Sequence, residues 1–463
     1  MKNNLKYHIT TFGCQMNKSD SERIDGLLLD MGFKAVDRAE DADLIILNTC
    51  SVRQTAEDRI YGLMRNLTFL KKKKPHLLIG VTGCMAGRDK DGKIKERLSS
   101  ANRQGKRNGL LADFVFNISD LPRLPEIISS RWHTAIGFTT PTSKEMDYLG
   151  VKPKAKEWWR GCVVIQTGCS NYCAYCVVPF ARGHEKNRPV CEILKEAREM
   201  ASSGAKEIIL LGQAVNGYIA PDPQNFSKTN PFTVGHSATY SDFAAILWEV
   251  NQIAGINRIS FTSAHPMYMN SQIIKAMKLP KMLNYLHLPV QSGNDEILKK
   301  MNRGYTRKKY LKVIEKIKKA RPNMALATDI IVGFPGETKK QFADTISLYK
   351  KCDFDLSYNA MYSPRSGTAA YKAFVDDVLA EEKRRRWNVL QKMMERNALK
   401  KNKKFLGKTV EVLVDGYKNG KCWGFSREYK KVSFKNDKSL VGEVINVKID
   451  NVMEWELQGT ITN

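Results

Sequence analysis

Residues 163–185 read VVIQTGCSNYCAYCVVPFARGHE, and this stretch decides the architecture of the chain. It opens on an apolar run of β-strand character. It then passes directly into three cysteines, Cys169, Cys173 and Cys176. Three thiolates leave a tetrahedral metal site one ligand short. A structural zinc site takes a fourth Cys or His at short spacing, and the nearest such residues, His184 and Cys191, do not stand at it. An iron–sulfur cluster bound by three cysteines keeps one iron open for a small molecule. The competing readings are a zinc knuckle or three unrelated buried thiols. The position at a strand end argues against both.

Downstream, residues 158–375 carry six runs of strand character: CVVIQT, EIILLG, RISFTS, YLHLPV, ALATDIIVG and DLSYNAMY. Amphipathic stretches such as EILKEAREMASSGA and TRKKYLKVIEKIKKAR separate them. Strand alternating with helix predicts parallel pairing, here a partial (βα)6 barrel. Its site residues belong after the strands, on one face: Gln213, Asn216, His265, Gln291, Ser292, Gly333, Glu337 and Arg365. Structural hydrogen bonding is the competing account for each. Residues 217–240 lack periodicity and read as a long surface loop or lid.

Upstream, residues 1–130 also alternate. KYHITTF, DLIILNT and HLLIGVTG are strands, and SDSERIDGLLLDMGF is an amphipathic helix with Ser19 or Asp20 as N-cap. The pattern predicts a doubly wound parallel sheet. Cys14, Cys50 and Cys84 each follow one strand. Parallel strands bring their C-terminal ends to one edge, where α/β folds build sites, so these cysteines are expected to converge as a second cluster site. Ordinary buried thiols are the alternative. SANRQGKRNG (100–109) reads as a basic loop, and 131–157 as a linker.

After a charged helix at 380–400, whose KRRR cluster reads as a solvated face, come TVEVLVDG, CWGFSR, KKVSF and EVINVKI. They predict a small all-β barrel of the kind that binds nucleic acid. From Ala380 on there are 19 Lys+Arg against 11 Asp+Glu, a net of +8. Trp423, with Phe425, Tyr429 and Phe434, offers faces for stacking bases, and Arg427, Lys430 and Lys431 offer charge for phosphates. The chain as a whole, 463 residues with a net charge of +27, fits a polyanionic partner or a self-repelling surface. It contains no apolar run of transmembrane length and opens without a signal-peptide pattern, which predicts no membrane association and a cytoplasmic protein. Ten cysteines in that setting argue for metal or redox chemistry.

Cys169-x3-Cys173-x2-Cys176, with Tyr175 before the last cysteine, resembles the radical S-adenosylmethionine (SAM) signature. With the second cysteine set and the basic β-domain, the whole chain resembles the methylthiotransferases. TFGCQMNKSDSE, CVVPFARGHE, LHLPVQSGNDEILKKMNRGYT, DIIVGFPGET and YSPRSGTAA are similar to the MiaB branch, which acts on isopentenyladenosine in tRNA. Gln213-Ala214-Val215-Asn216 departs from that branch's Gln-Asn-Val-Asn, and Gly424-Phe425-Ser426 from its Gly-Arg-Thr.

The resemblance implies an N-terminal methylthiotransferase domain at 5–130, a radical SAM core at 155–385 and a TRAM domain at 400–463. It implies two [4Fe–4S] clusters, one on Cys169, Cys173 and Cys176 with SAM at its open iron, and one on Cys14, Cys50 and Cys84 that supplies sulfur. One SAM gives the methyl group and another the 5′-deoxyadenosyl radical. Tyr175, Gln213, Gln291, Glu337 and Arg365 are expected to contact the cofactor; Arg427, Lys430, Lys431 and Trp423 are expected to contact RNA. The implied partners are a tRNA anticodon stem-loop and a reductant such as flavodoxin or ferredoxin, with the chain a monomer. The rival substrates are threonylcarbamoyladenosine in tRNA and a ribosomal-protein aspartate. The rival class is a non-catalytic iron–sulfur RNA-binding protein.

Overall fold

The computed structural model describes residues 5–51, 54–89, 92, 96, 98, 112–132, 146–233 and 240–462. The expected basic loop at 100–109 lies outside these residues. The chain divides into two compact units. One comprises Met1–Lys156, Gly168–Ser170 and Cys176–Glu185, the other Glu157–Thr167, Asn171–Tyr175 and Lys186–Asn463.

In the first unit, β1 (Lys6–Thr11), β2 (Lys34–Ala35), β3 (Leu44–Thr49), β4 (Leu78–Gly83) and β5 (Phe114–Val115) form one sheet in the order β2-β1-β3-β4-β5. Every pairing is parallel. All residues of β3 and β4 are buried, as expected of central parallel strands covered on both faces. Ile45, Leu47, Ile79 and Val81 pack with Ile60, Met64 and Leu67 of the helix Gln54–Lys73. The helix after β1 spans Gln15–Asp30 with Cys14 at its N-cap position. Ser19 and Asp20 therefore sit inside it, buried, instead of capping it. Asp20 instead accepts a hydrogen bond from Arg182. The two-residue strands β2 and β5 were not expected, because two residues carry no alternation.

The second unit begins with β6 (Arg160–Val164), β7 (Gln166–Thr167), β8 (Lys186–Asn187), β9 (Glu207–Leu211), β10 (Arg258–Phe261), β11 (Tyr285–His287), β12 (Ala325–Val332) and β13 (Leu356–Met361). The run CVVIQT splits, with β7 pairing antiparallel to β8. β6-β9-β10 and β11-β12-β13 are parallel sheets, linked by a parallel bridge between Ile259 and Met282. Six strands in chain order make the open half-barrel that the alternation predicted.

Two expectations are corrected here. Within 217–240 the described residues are not a bare surface loop: Phe226 and Phe232 are in the core, and buried Asn230 donates to the Ala245 carbonyl and the Glu249 carboxylate. Apolar anchors spaced without period escape a periodicity reading. The KRRR cluster of the helix Ala380–Asn402 is not uniformly solvated either. Lys383 and Arg386 are buried and pair with Asp376 and Glu337.

The C-terminal strands β14 (Thr409–Lys418), β15 (Lys421–Ser426), β16 (Lys431–Lys435), β17 (Val444–Val452) and β18 (Leu457–Ile461) close into a barrel in the order β14-β15-β16-β18-β17. Val412, Val414, Val432, Phe434, Val447 and Leu457 fill it. A charged joint fixes it to the half-barrel. Fully buried Arg258 donates to Glu207 at 3.1 Å, to Glu411 at 3.1 Å, and to the carbonyls of Phe425 and Ser426 at 3.1 and 3.0 Å. Arg160 and Trp159 both bind Asp415.

Candidate cluster and cofactor sites

Cys50 and Cys84 directly follow β3 and β4, and Cys14 stands three residues after β1, so the parallel sheet delivers all three to one edge. Two of them face one side chain. Asn17 Oδ1 lies 3.6 Å from Cys14 Sγ and 4.0 Å from Cys84 Sγ. Gly13 lets Cys50 in: a Cβ there would meet Cys50 Sγ at 2.9 Å, and its φ of +113° suits glycine. Asn17 is itself locked, its Nδ2 donating to Thr49 O at 2.8 Å, Phe12 O at 2.9 Å and Asn48 Oδ1 at 3.3 Å. Asn48 Nδ2 returns a bond to Asn17 O at 2.8 Å.

Arg182 completes this environment. Its Nη2 donates to Asn17 Oδ1 at 3.1 Å and to Asp20 at 2.6 Å. Cys14 is exposed at the surface of this group. Desolvation by the surrounding atoms raises its thiol pKa, Cys84 adds to the rise, and Arg182 opposes it. Soft sulfur donors from three loops, beside a cation, suit an anionic iron–sulfur cluster. Among the described residues no three His, Cys, Asp or Glu side chains close around a single metal ion.

In the signature, Cys169 N–H donates to Gly183 O at 3.1 Å, and the Val178 N–H donates to Cys176 Sγ at 3.4 Å. Gly168, at φ +66°, passes so close to the His184 carbonyl that a Cβ would stand 2.0 Å from its oxygen. In the second unit, Cys173 Sγ accepts from Arg303 Nη1 at 3.2 Å, and the same nitrogen lies 3.3 Å from Tyr175 Oη. Tyr175 packs against a small cluster that includes Ala174, Ile297, Met301 and Phe334.

The strand-end residues share the C-terminal edge of the half-barrel. Gln213 is half-buried after β9. Gln291, at φ +66°, is buried after β11, and its Oε1 has no hydrogen-bond partner among the described residues. Arg365 is buried after β13, its carbonyl accepting from Thr368. Glu337 is tied down: Oε2 accepts from Gly333 N–H and from Arg386, each at 2.7 Å, while Oε1 has no hydrogen-bond partner among the described residues. Burial raises its pKa against those two donors.

Asn216 and His265 exchange bonds, Asn216 Nδ2 donating to His265 O and His265 N–H to Asn216 Oδ1. His265 Nδ1 accepts from Met267 N–H at 3.3 Å, and buried Nε2 has no hydrogen-bond partner among the described residues. Burial, then Arg303 and Lys309, push this imidazole down to about 3. Unpartnered buried polar atoms are costly in a finished core. Three of them on one strand-end edge suit a polar cofactor such as SAM.

The expected RNA contacts divide. Arg427 donates to the carbonyls of Pro280 and Met282 and to Glu411, and Lys430 pairs with Asp355 at 2.9 Å, so both serve the joint. Phe425 stacks on Tyr429, which stacks on Tyr285 of the half-barrel, and Phe434 is core. Half-buried Trp423 and exposed Lys431, paired with Glu456, keep surface to offer. An open cleft of about 570 Å³ is lined by Lys278, Arg321 and Arg427, among others. Arg321 has its pKa lowered by desolvation and then by neighbouring Arg427. The sequence reasoning missed Arg182 and Arg303 and gave Asn17 no role. The only signal was their place in motif stretches, since the contacts join residues far apart in sequence.

Residues 163–349 match the Radical SAM superfamily, residues 6–102 the Uncharacterized protein family UPF0004, and residues 403–462 the TRAM domain. The tRNA-2-methylthio-N(6)-dimethylallyladenosine synthase of Bacillus licheniformis is 39% identical over 459 residues, covering 98% of this chain and 85% of that protein. The synthase of Alkaliphilus oremlandii is 39% identical over 465 residues, covering 99% and 93%. Among solved structures, the radical SAM methyltransferase TsrM from Kitasatospora setae with cobalamin and a [4Fe-4S] cluster bound aligns with a TM-score of 0.53 at 11% identity, over 80% of this chain and 77% of that one. That is a likeness of fold alone.

Proposed function

Because this chain belongs to the family of tRNA-2-methylthio-N(6)-dimethylallyladenosine synthases, we propose that it is a radical SAM methylthiotransferase that places a methylthio group on carbon-2 of isopentenyladenosine beside the tRNA anticodon. The observation that supports the reading is the placement of Cys14 and Cys84 beside Asn17, with Cys50 against neighbouring Gly13, in addition to the signature cysteines. Cys169, Cys173 and Cys176 would hold one [4Fe–4S] cluster, and Cys14, Cys50 and Cys84 the other. When bound, the first supplies the electron that cleaves SAM, and the second supplies sulfur.

The chain's own residues do the rest. Asn17 and Arg182 fix the second thiol set. Tyr175, Gln213, Gln291, Glu337 and Arg365 remain the proposed cofactor contacts, with the free faces of Gln291 and Glu337 turned to hydrogen bonding and His265 joined to them. Neutral His265 carries its proton on Nε2, because Nδ1 accepts from Met267.

For RNA, Trp423 offers a stacking face and Lys431 a phosphate contact. Arg427 joins them through the cleft it shares with Lys278 and Arg321, and Lys430 contributes by holding the barrel in place. The anticodon loop, with bases that can be splayed out, suits such a surface. The same proposal includes a flavodoxin- or ferredoxin-type donor, a monomeric chain and a cytoplasmic setting. Among the described residues no helix is long and apolar enough to cross a membrane.

The test is turnover on three anticodon stem-loops that differ in one adenosine. The isopentenyl substrate is expected to react fastest, since burying an apolar prenyl group contributes about 25 cal/mol per Å2. Plain adenosine is expected to be much slower, and threonylcarbamoyladenosine nearly inert, because its polar groups go unpaired in an apolar pocket. Turnover on the threonylcarbamoyl substrate equal to that on the prenyl one would overturn the assignment.

A further inference from the structure

Arg303 is 5% exposed, and its guanidinium is held on every side. Nε donates to Tyr305 Oη at 3.1 Å, Nη2 to Pro289 O at 3.2 Å, and Nη1 to Tyr175 Oη at 3.3 Å and Cys173 Sγ at 3.2 Å. The Tyr305 ring lies under the cation at 5.3 Å. These partners are two phenols, one carbonyl and one sulfur, and among the described residues no carboxylate joins them. Three other arginines with buried side chains differ: Arg182, Arg258 and Arg386 each pair with an acid. Arginine does not lose its proton in a protein, and a buried cation without a counter-charge is costly. Of these partners, the Cys173 sulfur is the one that becomes anionic as an iron ligand.

Backbone geometry makes the contact deliberate. Asn302 adopts φ +55° and Gly304 φ +67°, so the chain reverses sharply around Arg303. The same turn grips the signature loop on both sides of Cys173. Met301 O accepts from Ala174 N–H at 2.9 Å, and Asn302 Nδ2 donates to the carbonyls of Asn171 and Tyr172 at 3.2 and 3.0 Å.

We propose that Arg303 is a positioning residue that sets the reduction potential of the cluster on Cys169, Cys173 and Cys176. This rests on the reading that Cys173 is a ligand. Taking up one electron makes the cluster more negative by one charge, with no proton or bond transferred. A hydrogen bond and a full positive charge at a ligand sulfur stabilise that reduced form, and both are recognised determinants of cluster potential. Arg303 therefore raises the potential and eases reduction by a low-potential one-electron donor.

The experiment uses the full chain carrying Cys14→Ala, Cys50→Ala and Cys84→Ala, so that one cluster remains. The protein is reconstituted anaerobically and titrated with dithionite without SAM or RNA, with the reduced cluster followed by electron paramagnetic resonance. Arg303→Met and Arg303→Gln are expected to keep about four irons, as this cluster type requires. At the potential that half-reduces the parent, they are expected to show at least a tenfold lower reduced-to-oxidised ratio, a drop of ~59 mV for one electron. Arg303→Lys, which keeps the charge but not the fork, is expected to fall between. An unchanged or raised midpoint in either neutral variant overturns the proposal. So does loss of the cluster from both variants while their circular dichroism stays native, because a tuning residue leaves the cluster in place. If the parent background binds no iron, the ligand assignment itself is wrong.

Discussion

Replacing Asn17 with Ala tests the second thiol site most directly. Asn17 is fully buried, and its amide nitrogen satisfies the carbonyls of Phe12 and Thr49, which lead into the loops of Cys14 and Cys50. Each unmade bond to a buried group costs about 1–3 kcal/mol, so the two carbonyls together cost roughly 2–6 kcal/mol. That is a large part of the ~5–15 kcal/mol that holds a typical domain together, and it falls on the strand ends that carry the cysteines. The sheet itself keeps its buried core. The expected result is a folded protein whose iron content after anaerobic reconstitution falls from about eight to about four per chain, as loss of one four-iron cluster requires. SAM cleavage without RNA is expected to persist, and methylthio transfer to be lost. Asn17→Asp keeps an acceptor for Arg182 but loses both donors, so it is expected to behave like Ala. An Asn17→Ala protein with about eight irons and normal methylthio transfer would refute the hub assignment.

Cys50→Ala is expected to retain SAM cleavage and abolish sulfur transfer, measured as methionine release against methylthioadenosine formation. Trp423→Ala is expected to weaken stem-loop binding by about 1–3 kcal/mol without altering its salt dependence, as for a lost base stack. Lys431→Ala is expected to lower the salt slope by about one, and both are read from binding isotherms across a salt series. His265 is held down to about 3 by burial, so between its unfolded value of ~6.5 and about 3 the unfolded chain binds the extra proton. Its contribution to stability is therefore full above ~6.5 and is lost as pH falls towards about 3, at roughly 1.4 kcal/mol per unit. His265→Gln is expected to flatten urea midpoints measured across that window.

Much of this architecture was legible because it repeats. The fully buried β3 and β4 announce themselves as largely apolar runs and the six βα units by their alternation, and cysteines after strands inherit their position from the sheet. Charge was less informative. Lys430 and Arg427 read as phosphate contacts because a sequence shows a cation without its partner, and Asp355 and Glu411 lie 75 and 16 residues away. Lys383 and Arg386 read as solvated for the same reason. Arg303 lies 130 residues from Cys173, and no local pattern marks such a bond. The phenylalanines at 226 and 232 show the converse, since an irregular segment still buries side chains where the core has room.

The joint around Arg258 has a consequence for recombination. The guanidinium comes from the first residue of β10, but two of its four acceptors are backbone carbonyls of Phe425 and Ser426, and Glu411 lies on β14. The seam between half-barrel and C-terminal barrel is thus written on both sides. A chimera that imports a foreign barrel inherits a buried cation whose acceptors belong to the donor sequence. Backbone acceptors survive such an exchange if the strand geometry matches; Glu411 and Asp415 do not unless they are carried along. Modular shuffling of these barrels is then expected to succeed when those acids travel with the insert, and to fail as an insoluble product when only the exposed loops are chosen for their sequence.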